Sequence, residues 1–550
     1  MKEFSQLHKA RTGYQPKLPS VFLNGPKVKI VNGKTGSAVA DQDKIKALFP
    51  KTFGMPAIGF EATENTEFKP LNIGVILSGG QAPGGHNVIA GLYDGIKACH
   101  PDSKLYGFLG GPSGLTENDY RELDANYIAE YRNTGGFDMI ASGRTKLETA
   151  EQYEATAKNC KALGIEALVI IGGDDSNTNA AVLAEYFAQH DTGISVMGVP
   201  KTIDGDLKND MIEASFGFDT ATKVYNELIG NIQRDANSAK KYWHVIKLMG
   251  RSASHITLEC ALRSQPNLAI ISEEVEAKKQ TLHEIVDELT QVVVKRSNNK
   301  ENFGTLIVPE GLIEFIPEMK SLISELNDLM AANKTEINEI KDTDTKRNYI
   351  LDKLQNDTAT LYRSLPKRIA EQLIMERDPH GNVQVSLIET DKLLVYMIGK
   401  QLELLKAEGK YHGSFKTHTH FFGYEGRCSF PSNFDADYTY ALGYTASLLA
   451  ENKCTGYMSS VRNLKDEAKN WIPGGIPITQ MMNMERRHGE DKPVIKKALV
   501  ELDGLPFKTF TANRDKWAIE TSYMYSGPIQ YYGPSQIREI KTITLELEHQ

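Results

Sequence analysis

Gly198-Val-Pro-Lys-Thr-Ile-Asp-Gly-Asp206 is the stretch around which the chain is organised. It takes in the end of a short apolar run, 194–199, that reads as a buried strand. Pro200 ends the run, because proline lacks an N–H and fixes its own φ. A lysine, a threonine and two carboxylates then fall within six residues, with Gly205 between the acids. Open α/β sheets place ligands at the carboxyl ends of their strands. A carboxylate there serves as base or metal ligand, and a lysine meets anionic oxygens. A solvated polar turn has the same composition, so this stretch alone leaves both readings open.

Upstream loops shift the balance. Residues 71–77 form an apolar strand, followed by Ser78-Gly-Gly-Gln-Ala-Pro-Gly-Gly-His-Asn87 and a helical pattern over 88–99. Missing side chains let backbone N–H groups approach an anion, and the helix N-terminus favours it. The loop fits neither GxxxxGK[ST] nor GxGxxG, and a tight turn without ligand is its alternative. A β-branched strand, 165–171, runs into Gly172-Gly-Asp-Asp-Ser176 and a helix over 177–189. Helix capping explains one of those two acids. Mg²⁺ prefers carboxylate oxygen and bridges to phosphate, so Asp174 is read as its ligand.

The alternation of strand and helix continues. A strand at 104–109 ends in Gly110-Gly-Pro-Ser-Gly114, with a helix expected over 117–130. A second glycine loop, 133–146, carries Arg144 and Lys146, and a helix covers 149–163. Beyond a helix at 219–234, strands at 242–248, 267–272 and 303–308 alternate with helices through 262 and over 282–295. Two of these strands end in Met249-Gly-Arg251 and Pro309-Glu-Gly311. This rhythm predicts parallel sheets with helices on both faces, in two sheet domains. Segment 315–377 is charged, with Leu322, Ile323, Leu326, Leu329 and Met330 at helical spacing. It reads as a helical insertion that completes the fold or an interface. Residues 1–70, with one helix at 41–48, read as an extension packed over the molecule or a partner subunit. After a helix at 392–407, His418 and His420 alternate as a strand would, and without a spaced third ligand they do not read as a metal site. Tyr424, Glu425 and Arg427, in a glycine turn, suit an anion or a sugar.

A chain of 550 residues with 40% hydrophobic content has material for several cores. Its net charge of −8 weighs against nucleic acid as partner. Five cysteines, odd in number and without a CxxC pair, suit a reducing compartment. The first 20 residues lack the apolar core of a signal peptide, and no run approaches a membrane span. The expectation is a cytoplasmic protein with no membrane partner.

The loops quoted above, together with Tyr424-Glu-Gly-Arg427 and Pro431-Ser-Asn-Phe-Asp435, occur in a recognisable order. From about residue 71 to beyond Gly456, the chain resembles the phosphofructokinase family, in its long pyrophosphate-dependent group. The resemblance implies an α/β, phosphofructokinase-like fold: two Rossmann-like parallel-sheet domains with a helical insertion and an N-terminal extension. The implied boundaries are 1–70 for the extension and 71–212 for a pyrophosphate- and Mg²⁺-binding domain. Segments 213–314 and 379–480 form a fructose 6-phosphate domain, 315–378 the insertion, and 481–550 a tail packed back on the core.

The implied reaction moves a phosphoryl group reversibly from pyrophosphate to the 1-hydroxyl of fructose 6-phosphate. The resemblance makes Asp204 the general base, with Asp206 beside it, and Asp174 the ligand of the Mg²⁺ cofactor. Gly80 falls at a pyrophosphate position. Thr202, Ile203, Asp204, Met249, Gly250, Arg251, Glu310, Tyr424, Glu425, Gly426 and Arg427 fall at sugar-phosphate positions. The forks of Arg251 and Arg427 suit the 6-phosphate. Lys241 and Tyr242 match a pair that reaches the neighbouring subunit's substrate, which implies a homodimer with shared sites. Asp175 and Lys201, both glycine in typical ATP-using relatives, would select pyrophosphate. The alternatives are an ATP-dependent enzyme of the same family and a catalytically silent regulatory subunit. Intact Asp204, Asp174 and Lys201 argue against the second.

Overall fold

The computed structural model describes residues 4–64, 66–375, 383, 385–487 and 490–550. Two compact units result. One holds the chain up to Val224, Tyr424–Ala498 and Ile529–Gln550; the other holds Tyr225–Gly423 and Leu499–Pro528.

The first unit is built on nine strands: β1 (Val28–Thr35), β2 (Pro56–Ala62), β3 (Asn72–Leu77), β4 (Lys104–Phe108), β5 (Tyr120–Glu122), β6 (Ile165–Gly172), β7 (Ser195–Pro200), β12 (Tyr457–Arg462) and β13 (Ile472–Pro477). The second unit takes β8 (Trp243–Leu248), β9 (Leu268–Ala269), β10 (Gly304–Pro309) and β11 (Thr417–Phe422). A hairpin of β14 (Met482–Arg487) and β15 (Glu490–Ile495) stands apart from both sheets.

Strand order in the first sheet is β1-β2-β13-β12-β7-β6-β3-β4-β5. Its centre is parallel: β12 pairs with β7, β7 with β6, β6 with β3, and β3 with β4. Central strands of this kind are covered on both faces and read as continuous apolar runs. Leu168-Val-Ile-Ile171 is fully buried accordingly. Both edges are antiparallel, β1 on β2 and β5 on β4.

The expected extension is therefore part of the sheet, through β1 and β2. Its first helix, Gln6–Thr12, carries a fully buried Arg11. The guanidinium donates to Asn433 Oδ1 at 2.8 Å and to the Pro431 carbonyl at 3.0 Å, between the rings of Tyr14 and Tyr531. Glu185 accepts from the N–H groups of Lys51 and Thr52, which ties the turn before β2 to the core. Residues 1–3 of that segment lie outside the described residues.

The helix expected over 117–130 is instead helix Pro112–Glu117, strand β5 and helix Ala125–Ala129. Asn118 takes a left-handed conformation at φ 56° and ends the first helix, and the Asp124 side chain caps the last. The 267–272 run yields only two residues of strand before helix Ser272–Lys278.

In the second unit the order β11-β8-β10-β9 is parallel throughout. The 315–377 segment folds as helices, beginning with Pro317–Ala332. Leu322, Leu326, Tyr362 and Leu373 share one apolar core with Trp243 and Leu306 of the sheet. The insertion is thus continuous with the sheet's core; 376–378 lie outside the described residues. Helix Leu505–Ile519 also belongs here: Arg296 donates to the Ile519 carbonyl at 2.7 Å.

The units do not follow the expected boundaries. Residues 424–480, expected with 213–314, pack in the first unit, because β12 and β13 complete its sheet. Residues 213–224 also lie there, while 499–528, expected in a single tail, lie in the second unit. Among the described residues no helix is long and apolar enough to cross a membrane.

Candidate active site

Strands β3, β6 and β7 are neighbours in the first sheet, so the loops after them meet at their carboxyl ends. The Lys201 N–H donates to the Gly172 carbonyl at 2.9 Å, and Ser176 Oγ donates to Ser78 Oγ at 2.8 Å. Asn177, in the first turn of helix Asp174–Gln189, donates to the carbonyls of Gly172, Gly173 and Val199. One amide thereby locks the ends of β6 and β7 together. The Gly79 N–H bonds the Gly143 carbonyl at 2.9 Å, which adds the loop that carries Arg144 and Lys146.

Lys201 is only 6% exposed and donates its ammonium to the Gly80 carbonyl at 2.7 Å. Burial pulls its pKa down to about 8; Arg427 and Arg144 act in the same direction, and Asp204 and Asp174 oppose them. Cations that depress one another around a glycine loop mark a place suited to an anion. Arg427 lies on this loop. Its Nη1 donates to the Gln81 carbonyl at 3.2 Å, and a Cβ on Gly80 would stand 2.3 Å from that nitrogen. A side chain at position 80 would displace the guanidinium, so glycine is what permits the approach.

Facing these cations is an acidic group. Burial pushes the Asp206 carboxyl up to about 7, with Asp204 and Asp174 adding to the rise and Lys497 opposing it. The Asp204 N–H bonds Thr202 Oγ1 at 3.0 Å, which fixes the turn. Asp174 Oδ2 lies 3.5 Å from Lys497 Nζ. Asp175 faces elsewhere: it is 49% exposed, and its Oδ1 lies 3.7 Å from Lys146 Nζ. It borders a cavity of about 450 Å³ lined also by Tyr153, Tyr186, Val182 and Lys492.

The remaining candidates differ in setting. Ile203 is buried. Tyr424 is 75% exposed, Glu425 is exposed and Gly426 is buried in the short helix Tyr424–Gly426. These residues and Arg427 lie in the first unit, with Gly80, Thr202 and Asp204.

Met249, Gly250, Arg251 and Glu310 gather in the second unit, after β8 and β10. The Glu310 N–H bonds the Leu248 carbonyl at 2.9 Å, and a Cβ on Gly311 would meet the Arg251 carbonyl at 1.8 Å. Glu310 is buried and Arg251 exposed. Lys241 and Tyr242 stand at the other end of β8, about 20 Å of extended chain away. The Tyr242 ring lies 4.5 Å from that of His418, and His244 Nδ1 lies 2.9 Å from His420 Nε2. Among the described residues no group of three or more His, Cys, Asp or Glu is arranged to hold a metal ion.

Sequence reasoning missed Lys497 altogether and gave Arg144 no role. Arg144 was visible as one of two cations in a glycine loop. Lys497 follows a hairpin with no motif around it, and only the fold brings it to Asp174.

The family description for phosphofructokinase matches residues 72–363 of this chain. The chain belongs to the phosphofructokinase family. Its curated relatives in that family include a pyrophosphate–fructose 6-phosphate 1-phosphotransferase of Porphyromonas gingivalis, 59% identical over 99% of both chains. A protein of the same name from Treponema pallidum is 53% identical, over 99% of this chain and 97% of its own length. Among solved structures, a pyrophosphate-dependent phosphofructokinase from Nitrosospira multiformis superposes with a TM-score of 0.54. It covers 86% of this chain and 97% of its own at 16% identity, a likeness of phosphofructokinase fold alone.

Proposed function

We propose that this chain is a pyrophosphate-dependent phosphofructokinase, moving a phosphoryl group between pyrophosphate and the 1-hydroxyl of fructose 6-phosphate. The observation that carries the reading is the convergence of Lys201, Arg427 and Arg144 on the Gly79–Gly80 loop, opposite Asp204 and Asp174. The curated relatives named for this activity, at 59% and 53% identity, support it. Phosphoryl transfer needs positioning and charge stabilisation more than covalent chemistry. Asp204 takes the proton of the 1-hydroxyl as its oxygen bonds to phosphorus. The bridging P–O bond breaks, and phosphate leaves beside the Lys201 ammonium. In the reverse direction the phosphate attacks the sugar 1-phosphate, re-forms the bridging P–O bond and returns the proton to the 1-hydroxyl through Asp204.

Mg²⁺ belongs to the same proposal. Burial raises the proton affinity of Asp206, and Asp204 and Asp174 add to the rise; three carboxylates drawn together in this way suit a hard cation. Mg²⁺ commonly takes one or two carboxylates and completes its shell from water and substrate phosphate, which fits a site without a three-residue cage. Asp174 is the residue assigned to it. When bound, it neutralises charge on the pyrophosphate oxygens.

The proposal includes a homodimer. Lys241 and Tyr242 lie a full strand away from Met249-Gly250-Arg251, so one copy does not bring both ends of β8 to one sugar. Five cysteines, none of them in a disulfide, support a reducing, cytoplasmic location.

The test is a coupled assay of fructose 6-phosphate phosphorylation with pyrophosphate and Mg²⁺. Full activity after exhaustive chelation contradicts the metal assignment, and no activity with pyrophosphate contradicts the function. For the dimer, Lys241→Ala and Asp204→Asn copies are mixed. Shared sites predict recovered activity above either variant alone.

A further inference from the structure

Lys497 comes to the acidic group from a distant part of the chain and is held there by backbone anchors on both sides. The Ile495 N–H donates to Thr178 Oγ1 at 3.2 Å, which fastens the end of β15 to the helix that begins at Asp174. The Lys496 N–H donates to the Met481 carbonyl at 2.8 Å, and the Ala498 N–H to the Asp206 carbonyl at 2.7 Å. A surface lysine at a chain end needs no such frame. Here three bonds set the Cα of Lys497 so that its Nζ reaches Asp174 Oδ2 at 3.5 Å.

An ammonium beside a carboxylate competes with a divalent cation for its charge. Occupation of Asp174 by Mg²⁺ places like charge against Lys497 and turns its ammonium away. Lys497 also faces the Asp206 carboxyl, and the bound donor brings a more highly charged anion. We propose that Lys497 is a positioning residue that serves as counter-ion to Asp174 in the empty site and passes to a pyrophosphate oxygen when the metal takes Asp174. The inference rests on the pyrophosphate and Asp174 readings above. A lysine suits an exchange of this kind, being a mobile point charge rather than a rigid fork. It also keeps Asp174 compensated between turnovers, without a metal held permanently.

The test uses Mn²⁺ as probe of the free, full-length enzyme, with titration calorimetry, in wild type, Lys497→Met, Lys497→Arg and Asp174→Ala. Loss of the competing ammonium in Lys497→Met should tighten Mn²⁺ binding roughly two- to five-fold, the size of a partly exposed ion pair. The same variant should raise KM for pyrophosphate about tenfold, as for loss of a charged hydrogen bond, with KM for fructose 6-phosphate unchanged. Lys497→Arg should stay near wild type in both readouts. A merely structural lysine would not tighten metal binding when removed. Unchanged or weaker Mn²⁺ binding in Lys497→Met, or an unchanged KM for pyrophosphate, overturns the proposal. If Asp174→Ala abolishes Mn²⁺ binding while Lys497→Met changes nothing, only this inference falls. If Asp174→Ala binds Mn²⁺ as wild type does, the metal assignment falls with it.

Discussion

The Lys201 ammonium donates to the Gly80 carbonyl at 2.7 Å, which couples the turn after β7 to the glycine loop after β3. Burial and Arg427 bring this ammonium down to about 8. Only the protonated form stabilises a leaving phosphate. So kcat/KM for pyrophosphate, which reports the free enzyme, should fall as pH rises through about 8. Arginine does not titrate there, so Lys201→Arg should lose the fall whatever its rate. A wild-type profile flat to pH 9, or the same decline in the variant, contradicts the assignment.

Arg427 and Arg251 should separate. Arg427 rests on the Gly80–Gln81 backbone, so Arg427→Ala should raise KM for pyrophosphate by about tenfold. Arg251→Ala should raise KM for fructose 6-phosphate, since a phosphate that does not react gives uniform binding. Steady-state kinetics with each substrate varied in turn decide this. A KM effect of Arg427→Ala on the sugar alone would return that arginine to the role the resemblance implies.

Asp204→Asn should leave fructose 6-phosphate binding nearly intact and cut turnover by at least ~10²-fold, the usual worth of a positioned base. The side chain changes little in volume, so misfolding is not expected to account for the loss. Near-normal turnover in the purified variant would remove Asp204 from the mechanism.

Asp435 affects stability. It accepts from the N–H groups of Gly217 and Thr220 at 3.0 and 2.9 Å and pins the loop that follows the acidic turn. Burial, with Asp219 next, pushes its carboxyl from 3.8 up to about 7. The folded state therefore holds this proton more tightly than the unfolded chain. Its contribution is complete below about pH 4 and is lost as pH rises through 7. Urea midpoints of wild type should fall relative to those of Asp435→Asn between pH 5 and pH 8. Parallel midpoints at both values contradict the shifted carboxyl.

The three loops at the carboxyl ends of β3, β6 and β7 were legible because each follows an apolar run and carries its own residues. Their meeting follows from the sheet order. The setting of Arg427 was not legible, since its neighbour Gln81 is far away in sequence and the Tyr424 motif falls in the unit opposite to the expected one. The chain passes between units after 224, 423, 498 and 528, and no composition change marks those passages. The helix expected over 117–130 failed at Asn118, where a left-handed backbone outweighed helical spacing.

What most defines this enzyme is the choice of pyrophosphate over ATP. The cavity beside Asp175, at about 450 Å³, falls within the usual range of small-ligand pockets. The resemblance assigns the exclusion of ATP to Asp175, whose carboxylate lies 3.7 Å from Lys146 Nζ, and to Lys201. The direct measurement is the ratio of kcat/KM for pyrophosphate to that for ATP in wild type, Asp175→Gly, Lys201→Gly and the double variant. The ratio should lie well above one in wild type, lower in each single variant and lowest in the double. A wild-type ratio below one, or a ratio unmoved by both substitutions, would contradict it.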